Sequence, residues 1–252
     1  MMATPILRTQ QLVVERDGRR IIDKLDLHVP AGTVYALLGG NGAGKTTTIN
    51  AFLGFVKPAA GEVTVDDVPV RQAAQAARDR LAYLPENVSL YPYLSGVENM
   101  RYFCTLARIS VDASRAAELL SQVGLQPAAH GRKASTYSKG MRQKVGLAIA
   151  YAKRARAMLL DEPTSGLDPS AANDFAAQVR LARDGGMAIL MATHDLFNAK
   201  QVADRIGIMR AGRLVEEFEA HGVSHDTLER IYLAHARGIT DAPAANTVEP
   251  VA

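Results

Sequence analysis

Gly39, Gly40, Asn41, Gly42, Ala43, Gly44, Lys45, Thr46 and Thr47 follow a short aliphatic run, Val34 to Leu38, and fit the spacing G-x-x-x-x-G-K-[ST]. Backbone N–H groups can wrap a phosphate only where the chain turns tightly with few Cβ atoms in the way, which the glycines allow. Lys45 then offers a compact positive charge to the β- and γ-phosphates, and the Thr46 hydroxyl a ligand for Mg²⁺. The helix implied by Ile49, Phe52, Leu53 and Val56 turns the positive end of its dipole toward the same place.

A second stretch narrows the chemistry. Met158-Leu159-Leu160-Asp161-Glu162 reads as a buried strand that delivers two consecutive carboxylates to its C-terminal edge, where open α/β sheets bind ligands. Asp161 fits the aspartate that shares a Mg²⁺ with the loop threonine. Glu162 fits a general base for water attacking a terminal phosphate. His194, in Met191-Ala192-Thr193-His194-Asp195, closes another strand one helix further on.

The elements that must position these residues are legible from periodicity. Ile6 to Val14 and Leu25 to Val29 alternate apolar and polar about a turn at Asp17-Gly18, which predicts antiparallel strands. Gly61 to Val65 predicts a strand, Arg71 to Arg80 a surface helix, and Leu81 to Asn87 a buried strand stopped at Pro85. From Ser95 to Tyr151 apolar residues recur at helical spacing, with Ser95 and Asp112 as N-caps. Beyond Asp161 the pattern returns to helix 171–184, strand Met187 to Ala192 and helix 195–203, a β-α-β-α run that implies a parallel sheet. A hairpin about Ala211-Gly212 and a helix from Ser224 to Ala236 complete it. The Ala-, Pro-, Asn- and Thr-containing tail, 239–252, is expected to be disordered.

Composition bounds the rest. The 252 residues, 48% of them hydrophobic, suffice for a large core, and a net charge of +3 is too small to argue for nucleic acid. The single cysteine, Cys104, forbids an intrachain disulfide and favours a reducing compartment. The N-terminal residues do not read as a signal peptide. No apolar run approaches the roughly 18 residues of a membrane span, so any membrane role is expected to come through a partner.

With these motifs in this order, the sequence resembles the nucleotide-binding subunits of ABC (ATP-binding cassette) transporters from about Ile6 to Arg237. Tyr137-Ser138-Lys139-Gly140-Met141 stands where that family has its LSGGQ signature, and Ser165 to Asp168 resembles its D-loop. The resemblance implies an α/β P-loop NTPase core with a mixed or parallel sheet over residues 1–238. It adds an N-terminal antiparallel β-subdomain and an α-helical subdomain inserted at about 95–153. It implies ATP and Mg²⁺, with Glu162, His194, Lys45 and Glu86 catalytic and Thr46, Asp161 and Glu86 at the metal. Nucleotide contacts would come from the loop, Arg16, Ser138, Gly140 and Asp168. The partners implied are transmembrane permease subunits and a second cassette, identical or related, bound head to tail so that each signature covers the other's γ-phosphate. No nucleic acid is expected, and the place implied is the cytoplasmic face of the inner or plasma membrane.

Three motifs depart from the common pattern. Arg16 or Asp17 falls where many relatives stack an aromatic ring on adenine, Glu86 replaces a glutamine, and Lys139 and Met141 replace glycine and glutamine in the signature. The sequences around Glu86 and Ser138 resemble the ABC-2 export branch, whose cargoes range over drugs, polysaccharides, ions and copper- or sulfur-linked species. Tyr91 and Tyr93 stand where a membrane subunit would dock, or else pack a junction between subdomains. A soluble ABC ATPase acting on DNA or ribosomes, and a catalytically weak regulatory cassette, remain as alternatives.

Overall fold

The computed structural model describes residues 5–237, so the tail expected to be disordered lies outside the described residues. Strands β1 (Pro5–Arg16) and β2 (Arg19–Pro30) pair antiparallel about Asp17 and Gly18. Both turn residues have positive φ, 51° and 71°, the geometry that suits the twist of a two-residue hairpin. β3 (Val34–Leu38) leads through the glycine loop into α1 (Lys45–Phe52). β4 (Ala60–Val65) and the short β5 (Val68–Pro69) extend the first hairpin into a four-stranded antiparallel sheet of order β2-β1-β4-β5.

The chain then passes through α2 (Ala74–Asp79) to β6 (Leu81–Leu84). The helical stretch follows: α3 (Gly96–Leu106), α4 (Ala113–Gln122), the single turn α5 (Pro127–His130) and α6 (Lys139–Lys153). Ser95 caps α3 in a reciprocal box with Glu98, and the Asp112 carboxylate accepts from the Arg115 N–H at the start of α4. β7 (Ala157–Asp161), α7 (Pro169–Asp184), β8 (Ala188–Thr193), α8 (Leu196–Val202), the hairpin β9 (Arg205–Arg210) and β10 (Arg213–Glu219), and α9 (His225–Arg237) close the described chain.

These strands form a six-stranded sheet of order β10-β9-β3-β8-β7-β6, parallel except for the β9–β10 hairpin. Both its faces are covered, which explains the unbroken apolar runs of β3, β7 and β8. Successive side chains of a strand point to opposite faces. Val34, Ala36 and Leu38 therefore enter one core with the helices, while Tyr35 and Leu37 enter a second core with α1 and the antiparallel sheet.

Two helices are shorter than periodicity predicts. α1 ends at Phe52 rather than near Val56 because Gly54 adopts φ 71°. Phe55 N–H then donates to the Asn50 carbonyl and Gly54 N–H to the Ala51 carbonyl, the paired bonds that stop a helix. α2 begins at Ala74 rather than Arg71, since Gln72 and Ala73 both donate to the Pro69 carbonyl in a preceding turn. No described helix is long and apolar enough to cross a membrane.

Candidate functional site

Register brings the chemistry to one edge. Leu38 pairs with Thr193 and Asp161 with Ala192, so β3, β7 and β8 end level and the residues after them share one rim. The glycine loop fits this rim by close approach: a Cβ on Gly39 would lie 2.5 Å from the Met209 carbonyl oxygen. Gly44 precedes α1 at φ 112°, and among the described residues no side chain caps that helix. Its first-turn N–H groups are thus open to an anion.

Lys45 lies along the loop with its side chain 7% exposed. Its Nζ donates to the Gly39 carbonyl at 2.6 Å and stands 3.5 Å from Glu162 Oε1. Thr46 Oγ1 donates to Asp161 Oδ1 at 3.2 Å. Burial pushes the Asp161 carboxyl above the usual carboxylate range; the Thr46 hydroxyl opposes this and the Glu162 charge reinforces it. A divalent cation at this hydroxyl and carboxylate would favour the ionised form that burial disfavours.

Glu162 is held from several sides. Its backbone takes φ 45° and its N–H donates to the Ala192 carbonyl at 2.8 Å, aiming the side chain along the rim. Oε2 accepts from Thr193 Oγ1 at 3.1 Å and from the His194 N–H at 3.3 Å, and His194 Nδ1 stands 2.9 Å from it. One carboxylate is therefore clasped between the loop lysine and the histidine that follows β8. Glu86, after β6, lines a hollow of about 350 Å³ with the loop, Asp161, Glu162 and Ile21.

The fold leaves the remaining candidates apart from that hollow. Ser138 caps α6, its Oγ accepting from the Met141 N–H at 3.2 Å, and Gly140 is the second residue of that helix. Asp168 caps α7, accepting from the Ala171 N–H at 2.9 Å. Arg16 is exposed at the first hairpin, 3.8 Å from Asp17. Sequence reasoning missed Ile21 and gave Thr193 and Ser165 no individual role. Thr193 and Ser165 lie within motifs already read, but an aliphatic residue in a strand, such as Ile21, carries no signal of its own.

The tyrosines before α3 do not pack between subdomains as a pair. Tyr93 is 83% exposed, whereas Tyr91 packs edge-on against Tyr102 with ring centroids 4.6 Å apart. Beside them Leu84, Val88, Leu90, Phe103 and Ile149 line an apolar hollow of about 280 Å³. The fully buried Asn99 fixes this segment: its Oδ1 accepts from the Tyr91 N–H at 2.8 Å, and its Nδ2 donates to the carbonyls of Tyr91, Leu94 and Ser95.

The doubly covered sheet and the loop, carboxylate and histidine at its rim define a P-loop NTPase. Comparison with known proteins supplies the particular kind. The ABC transporter family profile matches residues 22–165, and the chain belongs to that family. It is 36% identical over 231 residues to an uncharacterized ABC transporter ATP-binding protein, YdbJ, of Bacillus subtilis (strain 168), covering 91% of this chain and 74% of the relative. It is 38% identical over 216 residues to the daunorubicin/doxorubicin resistance ATP-binding protein DrrA of Streptomyces peucetius, covering 85% of this chain and 65% of that one. A solved ATP binding subunit of an ABC transporter superposes with a TM-score of 0.76 at 27% identity, over 94% of this chain and 95% of its own. The protein is thus an ATP-binding subunit of an ABC transporter, a family of ATPases coupled to transport.

Proposed function

We propose that this chain is the ATP-hydrolysing subunit of an ABC-2 type exporter, working head to tail with a second cassette, identical or related, on the cytoplasmic face of a membrane. The observation that carries the hydrolytic reading is Glu162, set between Lys45 at 3.5 Å and His194 at 2.9 Å. In this reading the loop N–H groups and Lys45 bind the β- and γ-phosphates, and Glu162 takes a proton from the attacking water. His194 orients Glu162 and meets the γ-phosphate. Thr46 and Asp161, with Glu86 at the rim, would hold Mg²⁺, which screens phosphate charge when bound.

Ser138 and Gly140 open the N-terminus of α6 apart from this chain's own hollow, which suits contact with nucleotide on a second copy. Asp168 adjoins the same surface, and Arg16 can stack its guanidinium on the base. The Tyr91–Tyr93 segment and its apolar hollow receive the transmembrane permease, with the aromatic rings as anchors. We divide residues 1–238 into the P-loop core with its β-subdomain and the helical insertion at about 95–153, with no nucleic-acid partner. The likeness to the drug-resistance relative supports export without fixing the cargo.

Glu162→Gln tests the reading. With the membrane subunit present, ATP binding should persist while phosphate release slows by about 10²- to 10⁴-fold, the usual value of a positioned base. ATP-bound dimers should accumulate in sedimentation. Wild-type turnover would remove Glu162 from the mechanism.

A further inference from the structure

Glu86 and Lys139 meet in the fold although they lie far apart in sequence. Lys139 Nζ is 3.9 Å from Glu86 Oε1, and the same oxygen accepts from Ser165 Oγ at 3.1 Å. Three segments converge there: the loop after β6, the start of α6 and the turn after Glu162. Lysine in the first turn of a helix faces the positive end of the dipole and is disfavoured, so helix stability does not explain Lys139. Charge in the hollow does. Glu86, Asp161 and Glu162 all line it, and Lys45 is engaged with Glu162. An unbalanced Glu86 carboxylate at the mouth would repel an incoming polyphosphate.

We propose that Lys139 is a positioning residue for Glu86: with Ser165 it fixes that carboxylate at the rim and cancels its charge against the nucleotide. The pair also tethers the N-terminus of α6, which carries Ser138 and Gly140, to the hollow. This inference rests on reading the hollow as the MgATP site.

A double-mutant cycle on the full chain tests it, with affinity for the slowly hydrolysed analogue ATPγS and magnesium measured by titration calorimetry. Lys139→Met should weaken binding about two- to fivefold, the range of a partly exposed ion pair. It should do so without lowering the melting temperature, because it removes an unfavourable helix-end charge. Lys139→Arg should restore affinity, and Lys139→Met should weaken binding little once Glu86→Gln is present. Equal losses with and without the Glu86→Gln substitution, or no rescue by arginine, would overturn the pairing. Binding that survives Lys45→Ala undiminished would remove the site reading itself, and the proposal with it.

Discussion

Replacing Asn99 probes whether docking and hydrolysis are separately built. Asn99 is fully buried on α3, 0% exposed, and spends both ends of its amide on the backbone of the segment that presents Tyr91 and Tyr93. Asn99→Ala removes one accepted and three donated hydrogen bonds. At about 0.5–1.5 kcal/mol net for each, the loss is about 2–6 kcal/mol. The carbonyls of Tyr91, Leu94 and Ser95 each keep a backbone donor, from the N–H groups of Leu94, Ala134 and residue 99, which favours the lower half, about 2–4 kcal/mol. For a chain of this size each 1 kcal/mol lowers the melting temperature by about 2–4 °C, so scanning calorimetry should show a fall of about 4–16 °C. Below that transition ATP affinity should stay near wild type, because the loop, Asp161 and Glu162 sit on the large sheet, whereas stimulation of hydrolysis by the membrane subunit should drop. Asn99→Asp should do at least as much damage, since three of the four bonds need the amide donor. A melting temperature within about 1 °C of wild type, or aspartate tolerated better than alanine, would refute this account of the loop.

Two further outcomes follow from the geometry. Tyr93→Ala should leave stability within about 0.5 kcal/mol, as for an exposed side chain, yet weaken co-purification with the membrane subunit; undiminished capture would exclude the ring as an anchor. Asp23 on β2 accepts from Arg213 on β10, at 2.7 Å from Nε, and from Arg20, and chiefly the Arg213 bond holds its carboxyl below the ordinary value of 3.8. A depressed folded-state pKa stabilises above the unfolded value and is lost as pH falls through the folded one. Asp23→Asn should therefore lower the melting temperature at pH 7 and converge with wild type below pH 3.8; a gap that widens in acid would contradict the sign.

What the sequence by itself determined is local. Strand, glycine loop and helix around Lys45 are adjacent in the chain, so their order reveals the phosphate site. The caps at Ser95 and Asp112, and the turns at Asp17-Gly18 and Ala211-Gly212, follow equally from neighbouring residues. Periodicity stated that β3, β7 and β8 are buried but held no record of their order. Only the tertiary structure decided that β8 lies between β3 and β7. That order brings Thr46 to Asp161 across 115 residues and His194 to Glu162 across 32. The same holds for Glu86 with Lys139. Such contacts depend on which surfaces pack together, and a pattern that repeats every two or 3.6 residues is blind to partners so far along the chain.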